Sequence, residues 1–168
     1  MQTEPKLRLP ADWRLATLAD IPVVNSLLVD AFAPYVARLG HVSDPDHWFK
    51  HLPEMIGAQS VLIVERGQIP VAALTLRRLH PILTLDQIAV APDLQKSGLG
   101  QNIMMQLEQT ASEAGYSCIS LHTAKIMTHL VQFYCKLGYR ITRHGPAPHG
   151  LDHYERVFFE KALAPQQS

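Results

Sequence analysis

Gln95-Lys96-Ser97-Gly98-Leu99-Gly100 lies between an apolar run and a long amphipathic stretch, and its residue types suit the binding of a phosphate. The run before it, 82–90, carries Ile82, Leu83, Leu85, Ile88, Ala89 and Val90, and Ala91-Pro92-Asp93 then stops the strand because proline has no ladder donor. Beyond it, Gly100, Ile103, Met104, Leu107, Ala111 and Ala114 recur at three-four spacing, with Gly115 as a C-terminal cap, which predicts a helix. The glycines therefore fall at a helix N-terminus. There the backbone N–H groups lack partners, the helix carries a partial positive charge, and glycine lets an anion approach closely. Lys96 adds a point charge, and the Ser97 hydroxyl adds a donor or a cap. A diphosphate suits such a cradle. The dinucleotide fingerprint is excluded, since its third glycine is replaced by Ile103, and the nucleotide-hydrolase loop is excluded by Gly100-Gln101-Asn102 where Gly-Lys-Ser/Thr is required.

The hexapeptide matches the Q/R-x-x-G-x-G/A signature at every specified position, and on it the chain resembles the GNAT superfamily of acyl-coenzyme A dependent N-acyltransferases. Two neighbouring segments support the resemblance. Leu85-Asp86-Gln87-Ile88-Ala89-Val90-Ala91-Pro92-Asp93 is similar to the family's central strand, and Phe133-Tyr134-Cys135-Lys136-Leu137-Gly138-Tyr139 is similar to its closing helix. The likeness covers residues 61–161; the first sixty residues share only the expected pattern of elements. It implies a mixed α/β (α+β) fold: a mostly antiparallel seven-stranded sheet, splayed at its central strands and flanked by about four helices.

The elements that must position these groups follow from pattern. Arg14 to Thr17 reads as a first strand, Thr17 or Asp20 caps a helix carrying Val24, Leu27, Leu28 and Ala31, and Pro34 is expected to end it. Asp44-Pro45 opens a second helix that stops at Gly57. Residues 61–65 and 71–79 flank Gly67-Gln68 as a hairpin; 118–122 is a short strand, 127–137 a helix, and 139–143 and 154–161 are final strands around a Pro/Gly/His loop. With 168 residues, one domain is expected, with loose ends at 1–12 and 164–168. Fifteen basic and fifteen acidic side chains cancel, which argues against nucleic acid as a partner, and no apolar window has the length of a membrane span or a secretory core. A cytoplasmic protein is expected. Cys118 and Cys135 form no disulfide framework, and His47 and His51, one helical turn apart, lack a third ligand, so no metal is expected.

The resemblance implies acetyl-CoA as co-substrate, bound by Ile88, Ala89 and Val90 of the central strand and by Gln95, Lys96, Ser97, Gly98, Leu99 and Gly100 of the loop. It implies direct transfer to a primary amine without a covalent enzyme intermediate, with Tyr134 in the position of the acid that protonates the departing thiolate. Periodicity alone favours Tyr134 as a core aromatic. Asp86 is the leading candidate for the base and His122 the second, and each also reads as an ordinary strand residue. The acceptor loops supply Phe32, Tyr35, His149 and His153, aromatic and basic groups that suit a small-molecule amine or amino acid better than a polycation. A non-catalytic coenzyme A binding module, a protein N-terminal or lysine acetyltransferase, and pairing of exposed strand edges into a homodimer remain open.

Overall fold

Alternation of apolar residues builds the sheet, and the computed structural model describes it over residues 3–40, 47–150 and 152–165, with backbone alone at 47–49. The strands are β1 Trp13–Leu15, β2 Val61–Arg66, β3 Ile69–Leu79, β4 Ile82–Val90, β5 Cys118–Ala124, β6 Arg140–Gly145 and β7 Arg156–Ala162. The α-helices among the described residues are α1 Ile21–Leu39, α2 His47–Gly57, α3 Leu99–Glu113 and α4 Thr128–Lys136. The seven strands lie in the order β1-β2-β3-β4-β5-β7-β6. Every pairing is antiparallel except β4 with β5. Gly67 and Gln68 both take positive φ, 56° and 65°, which matches a two-residue hairpin turn to the twist of β2 and β3.

Both faces of the central strands are covered. On one, Leu99, Ile103, Met104, Leu107 and Ala111 of α3 and Tyr134 of α4 pack on Leu62, Leu74, Leu83, Leu85, Leu121 and Phe159. On the other, Val24, Leu27 and Leu28 of α1 and Leu52 and Ile56 of α2 pack on Val61, Ile63, Ala73 and Ala89. That second cover reaches only the β2–β4 side, so the outer face of β5, β6 and β7 stays open as a groove. Leu7 and Leu9 of the N-terminal segment, expected as a loose end, pack against the larger cluster, and the Tyr116 hydroxyl donates to Glu4 at 3.1 Å.

Most boundaries shift by one or two residues from expectation, and three of the differences have a clear physical cause. Pro34 does not end α1, which continues to Leu39. Proline deprives the Asp30 carbonyl of its helical donor, but Asp30 and Pro34 both lie on the exposed side, where water replaces the bond. β1 ends at Leu15, because the Asp20 carboxylate accepts from the Thr17 N–H at 2.7 Å and its hydroxyl at 3.0 Å and folds 18–20 into a 3-10 turn. β5 runs on to Ala124, held by β7. The expected opening of α2 at Asp44-Pro45 lies outside the described residues.

The sheet splays at one place. β4 and β5 pair from Ile82–Cys118 to Leu85–Leu121 and no further, while β5 stays on β7 as far as Ala124–Arg156. At the point of divergence Asp86 is an extra residue in β4: Thr75 pairs with Gln87, and Leu76 with Leu85. Such a bulge bends a strand and increases its twist, which turns the end of β4 away from β5.

Candidate functional site

The bulge decides which backbone groups of β4 face the gap. The Ala91 N–H donates to the Val71 carbonyl at 2.9 Å, so Ala89 and Ala91 direct their polar groups to β3. Ile88 and Val90 therefore direct theirs into the splay. The Val90 carbonyl accepts from the Gln95 side chain at 3.0 Å, which ties the loop to the strand end. Ala89, expected among the cofactor contacts, has its side chain fully buried on the α1 face and its backbone on β3. The open edge belongs to its two neighbours.

The loop itself is shaped by two residues with positive φ, Lys96 at 64° and Gly98 at 86°, which turn the chain directly into α3. Gly98 is the N-cap and supplies no side-chain cap, so the first-turn amides of Leu99, Gly100 and Gln101 have no partner within the helix. The Ser97 hydroxyl donates to the Leu94 carbonyl and braces the turn. Leu99 is buried in the core, so only its backbone serves the loop, while Gln95, Lys96, Ser97 and Gly98 are exposed. The Leu99 N–H donates to the Ser97 hydroxyl oxygen at 3.4 Å, which leaves the Gly100 and Gln101 amides free; these, a glycine without Cβ and an exposed ammonium fit a diphosphate.

α4 stands beside this loop: a Cβ built on Gly100 would meet the Phe133 ring at 3.8 Å. Tyr134 is 6% exposed, its ring packed against Phe133, Tyr139 and Phe159 at centroid distances of 5.2, 5.8 and 5.7 Å. Its hydroxyl makes no hydrogen bond among the described residues and is not one of the enclosed, unpartnered atoms. Burial pushes its pKa upward, so the phenol is protonated at neutral pH. Tyr134 is thus a core aromatic by its ring and an available proton donor by its oxygen.

On the outer face the candidate bases have different surroundings. Both Asp86 oxygens lie on the Arg77 guanidinium, Nε at 3.0 and 2.8 Å and Nη2 at 2.9 Å. His122 projects from β5 beside Phe158, ring centroids 5.3 Å apart, and its Nδ1 is buried without a partner. Burial, reinforced by the Arg156 charge, lowers its pKa to about 4, so the imidazole is neutral. Thr84 and Ser120 share a hydroxyl–hydroxyl bond of 2.7 Å two pairs along β5 from His122. Together with Arg143 they line a cavity of about 310 Å³.

The acceptor-loop residues form a second cluster, organised by a residue the sequence reading missed. Arg156, 2% exposed, donates to both Asp152 oxygens at 2.9 and 2.7 Å, to the Tyr35 hydroxyl at 2.7 Å and to the Tyr154 carbonyl at 2.8 Å, with His149 Nε2 at 3.3 Å. Tyr154 donates to the Leu39 carbonyl at 3.0 Å, so α1 is laced to the β6–β7 connection. Burial drives the Tyr35 pKa to about 12. Burial works against ionisation of Asp152, yet the bonds from Arg156 and the Tyr154 amide outweigh it and lower its pKa. Phe32 packs edge-on to Tyr35 at 6.3 Å. His153 is exposed and joins none of these contacts among the described residues. The Asp152–Arg156 spacing of four is a local signal that the sequence reading did not use, whereas the partner Tyr35, 121 positions away, is beyond any local pattern.

Comparison with known proteins bears on this geometry. The profile of the Acetyltransferase (GNAT) family matches residues 25–139, more than half of the chain. The chain belongs to the GNAT family of acetyltransferases. Solved relatives share the fold at low identity. The ribosomal-protein-S18-alanine N-acetyltransferase from Escherichia coli aligns with a TM-score of 0.66 and 15% identity, over 93% of this chain and 96% of that one. The PaiA N-acetyltransferase from Thermoplasma acidophilum, solved in complex with coenzyme A, gives 0.71 and 14%, over 90% and 98%. A GNAT-family acetyltransferase from Listeria monocytogenes gives 0.69 and 16%, over 96% and 100%. No curated protein matches the chain. This GNAT protein is an acyltransferase whose general reaction moves an acetyl group from acetyl-CoA to an amine. No helix among the described residues is long and apolar enough to cross a membrane.

Proposed function

We propose that the protein transfers acetyl from acetyl-CoA directly to the primary amine of a small molecule or amino acid, in a ternary complex with no covalent enzyme intermediate. One observation carries the reading: the splay has an open, hydrogen-bonding edge at Ile88 and Val90 that leads to the free Gly100 and Gln101 amides at the start of α3, with the Tyr134 hydroxyl unpartnered on the helix beside it. Acetyl-CoA supplies the acetyl group as a thioester that an amine attacks. The amides of Gly100 and Gln101 and the Lys96 ammonium hold its diphosphate. The Ile88 and Val90 edge takes an extended amide chain as a strand would, and the Val90 N–H donates to the oxygen on which charge develops. Tyr134 gives its proton to the leaving sulfur.

For proton removal the surroundings favour His122 over Asp86. Arg77 engages both oxygens of Asp86, whereas the imidazole of His122 is neutral, and beside its enclosed Nδ1 its Nε2 makes no hydrogen bond among the described residues. Burial lowers its basicity in the same step that keeps the lone pair available. Calorimetric titration with acetyl-CoA, beside an analogue lacking the nucleotide diphosphate, tests the reading. Saturable one-site binding that requires the diphosphate supports it and licenses an acceptor screen; no binding overturns it.

A further inference from the structure

We infer that the outer-face groove binds the carboxylate of the acceptor through Arg143, so that the acceptors are amino acids; this rests on the small-amine reading above. Across the sheet, Arg143 of β6 pairs with Phe158 of β7, and Phe158 with His122 of β5. The Arg143 guanidinium carbon stands 3.5 Å over the Phe158 ring centroid. Stacking uses the flat face of the guanidinium and leaves its N–H edge open. Among the described residues this edge makes no ion pair or hydrogen bond. Arg77, which also lines the groove, is neutralised by Asp86, and Arg156 by Asp152, while Arg140, opposite Glu160 on β6, is not part of the lining. Of the two arginines that line the groove, Arg143 is the one with no carboxylate partner among the described residues.

Gly145 keeps the seat open. A Cβ there would lie 2.9 Å from Arg143 Nη1 and 3.8 Å from the Phe158 ring, so a side chain at this position drives the guanidinium off its platform. The span is that of a small zwitterion. With 3.5 Å from guanidinium to the Phe158 centroid and 5.3 Å from there to His122, the two polar groups lie at most about 9 Å apart. An α-amino acid, carboxylate on Arg143 and amine at the His122 Nε2, bridges that distance with one hydrogen bond at each end. Glu160 also lines the groove, opposite Ser120 and two pairs along β5 from His122, without an ion pair among the described residues. The groove thus offers one open charge of each sign, which matches a zwitterion and not a polycation.

The test uses free L-amino acids, their carboxamides and the corresponding decarboxylated amines, each with acetyl-CoA. Acids are expected to exceed carboxamides at least tenfold in kcat/KM, with the difference in KM. Arg143→Ala is expected to raise KM for the acids roughly ten- to hundredfold, the worth of a charge-assisted bond, and to erase the preference for acid over amide while the acetyl-CoA Kd stays the same. Gly145→Ala retains the charge and displaces only the flexible end of Arg143, so it should fold normally and show a smaller loss of the same kind. Equal use of acids and amides, or an Arg143→Ala effect shared by every acceptor, overturns the inference. So does loss of acceptor use in Glu160→Gln with little change in Arg143→Ala, which would indicate a dication. Thermal shift of the CoA-saturated protein reads recognition without turnover: acids that stabilise no better than amides also overturn it. Failure to bind acetyl-CoA is a separate result and sinks the proposed function instead.

Discussion

Tyr134→Phe removes one oxygen from a ring that otherwise stays in place, and the structure separates what that oxygen does from what the ring does. The ring is 6% exposed and packs against three other aromatics, so deleting it altogether would cost about 3 to 5 kcal/mol of stability. The hydroxyl makes no hydrogen bond among the described residues, so its removal leaves no orphaned partner, and stability should change by no more than about 0.5 kcal/mol. As a general acid it should carry roughly a hundred- to ten-thousandfold in rate, equivalent to about 3 to 5.5 kcal/mol. The assay is steady-state kcat by thiol release, alongside urea unfolding and a calorimetric Kd for acetyl-CoA. A kcat loss in that range with unchanged Kd and midpoint is the expected pattern. If kcat stays within threefold of wild type, or if Kd and stability fall as far as kcat does, the hydroxyl is not the acid and Tyr134 is packing alone.

Other consequences can be checked on the same preparations. Gly98 takes φ 86°, which asparagine and aspartate tolerate about equally, so Gly98→Asn and Gly98→Asp differ mainly in charge. The aspartate variant should bind acetyl-CoA at least tenfold more weakly than the asparagine variant, with the gap narrowing in high salt; equal Kd values would remove the diphosphate from this turn. His122 has an unfolded pKa of 6.5 and a folded value near 4, so between those pH values the unfolded chain binds the extra proton and stability rises with pH. Relative to His122→Asn, the wild type should lose about 2 to 3 kcal/mol between pH 7 and pH 4.5, with only about 0.3 kcal/mol of that loss above pH 6.5; a flat difference in urea unfolding contradicts the buried, neutral imidazole. Asp152→Asn strands the Arg156 guanidinium at 2% exposure and should cost about 3 to 5 kcal/mol, whereas Asp152→Leu with Arg156→Met should recover most of it. Parity between the single and double variants would mean that the pair is not buried in solution.

What the sequence disclosed, it disclosed through local pattern. The Pro92 stop, the glycines at 98 and 100 and the three-four spacing beyond them place β4, the turn and α3 almost to the residue, because each signal acts on its own few neighbours. Pro34 misled for the converse reason. Whether a proline breaks a helix depends on whether its stranded carbonyl meets water, and that is settled by which side of α1 faces the sheet. Arg143 and the bond of Arg156 to Tyr35 were invisible because their partners lie on other strands and helices. Asp86 is different. The apolar spacing of β4 runs Leu83, Leu85 and then Ile88, Val90, a step of three inside a period of two, and that slip marks the bulge.

The bulge also explains why one strand serves two sides of the chemistry. Before it, Leu83 and Leu85 face α3 and α4 while Thr84 lines the outer groove. After it, Ile88 and Val90 pack toward α3 and α4, and Gln87 and Ala89 turn to the α1 side, where the Thr75 hydroxyl bonds Gln87 at 3.1 Å. A regular strand would keep one phase, since a slip of one residue exchanges the two faces. It would then put Ile88 and Val90 on the face with Leu28 and Ile56, and would give β5 no reason to part from β4. The extra residue therefore does three things at once. It opens the gap, it leaves the Ile88 and Val90 amides as that gap's edge, and it sets Asp86 where Arg77 can hold it. The carboxylate that looked like a base is the residue that shapes the strand, and His122, across the gap, is left with the free nitrogen.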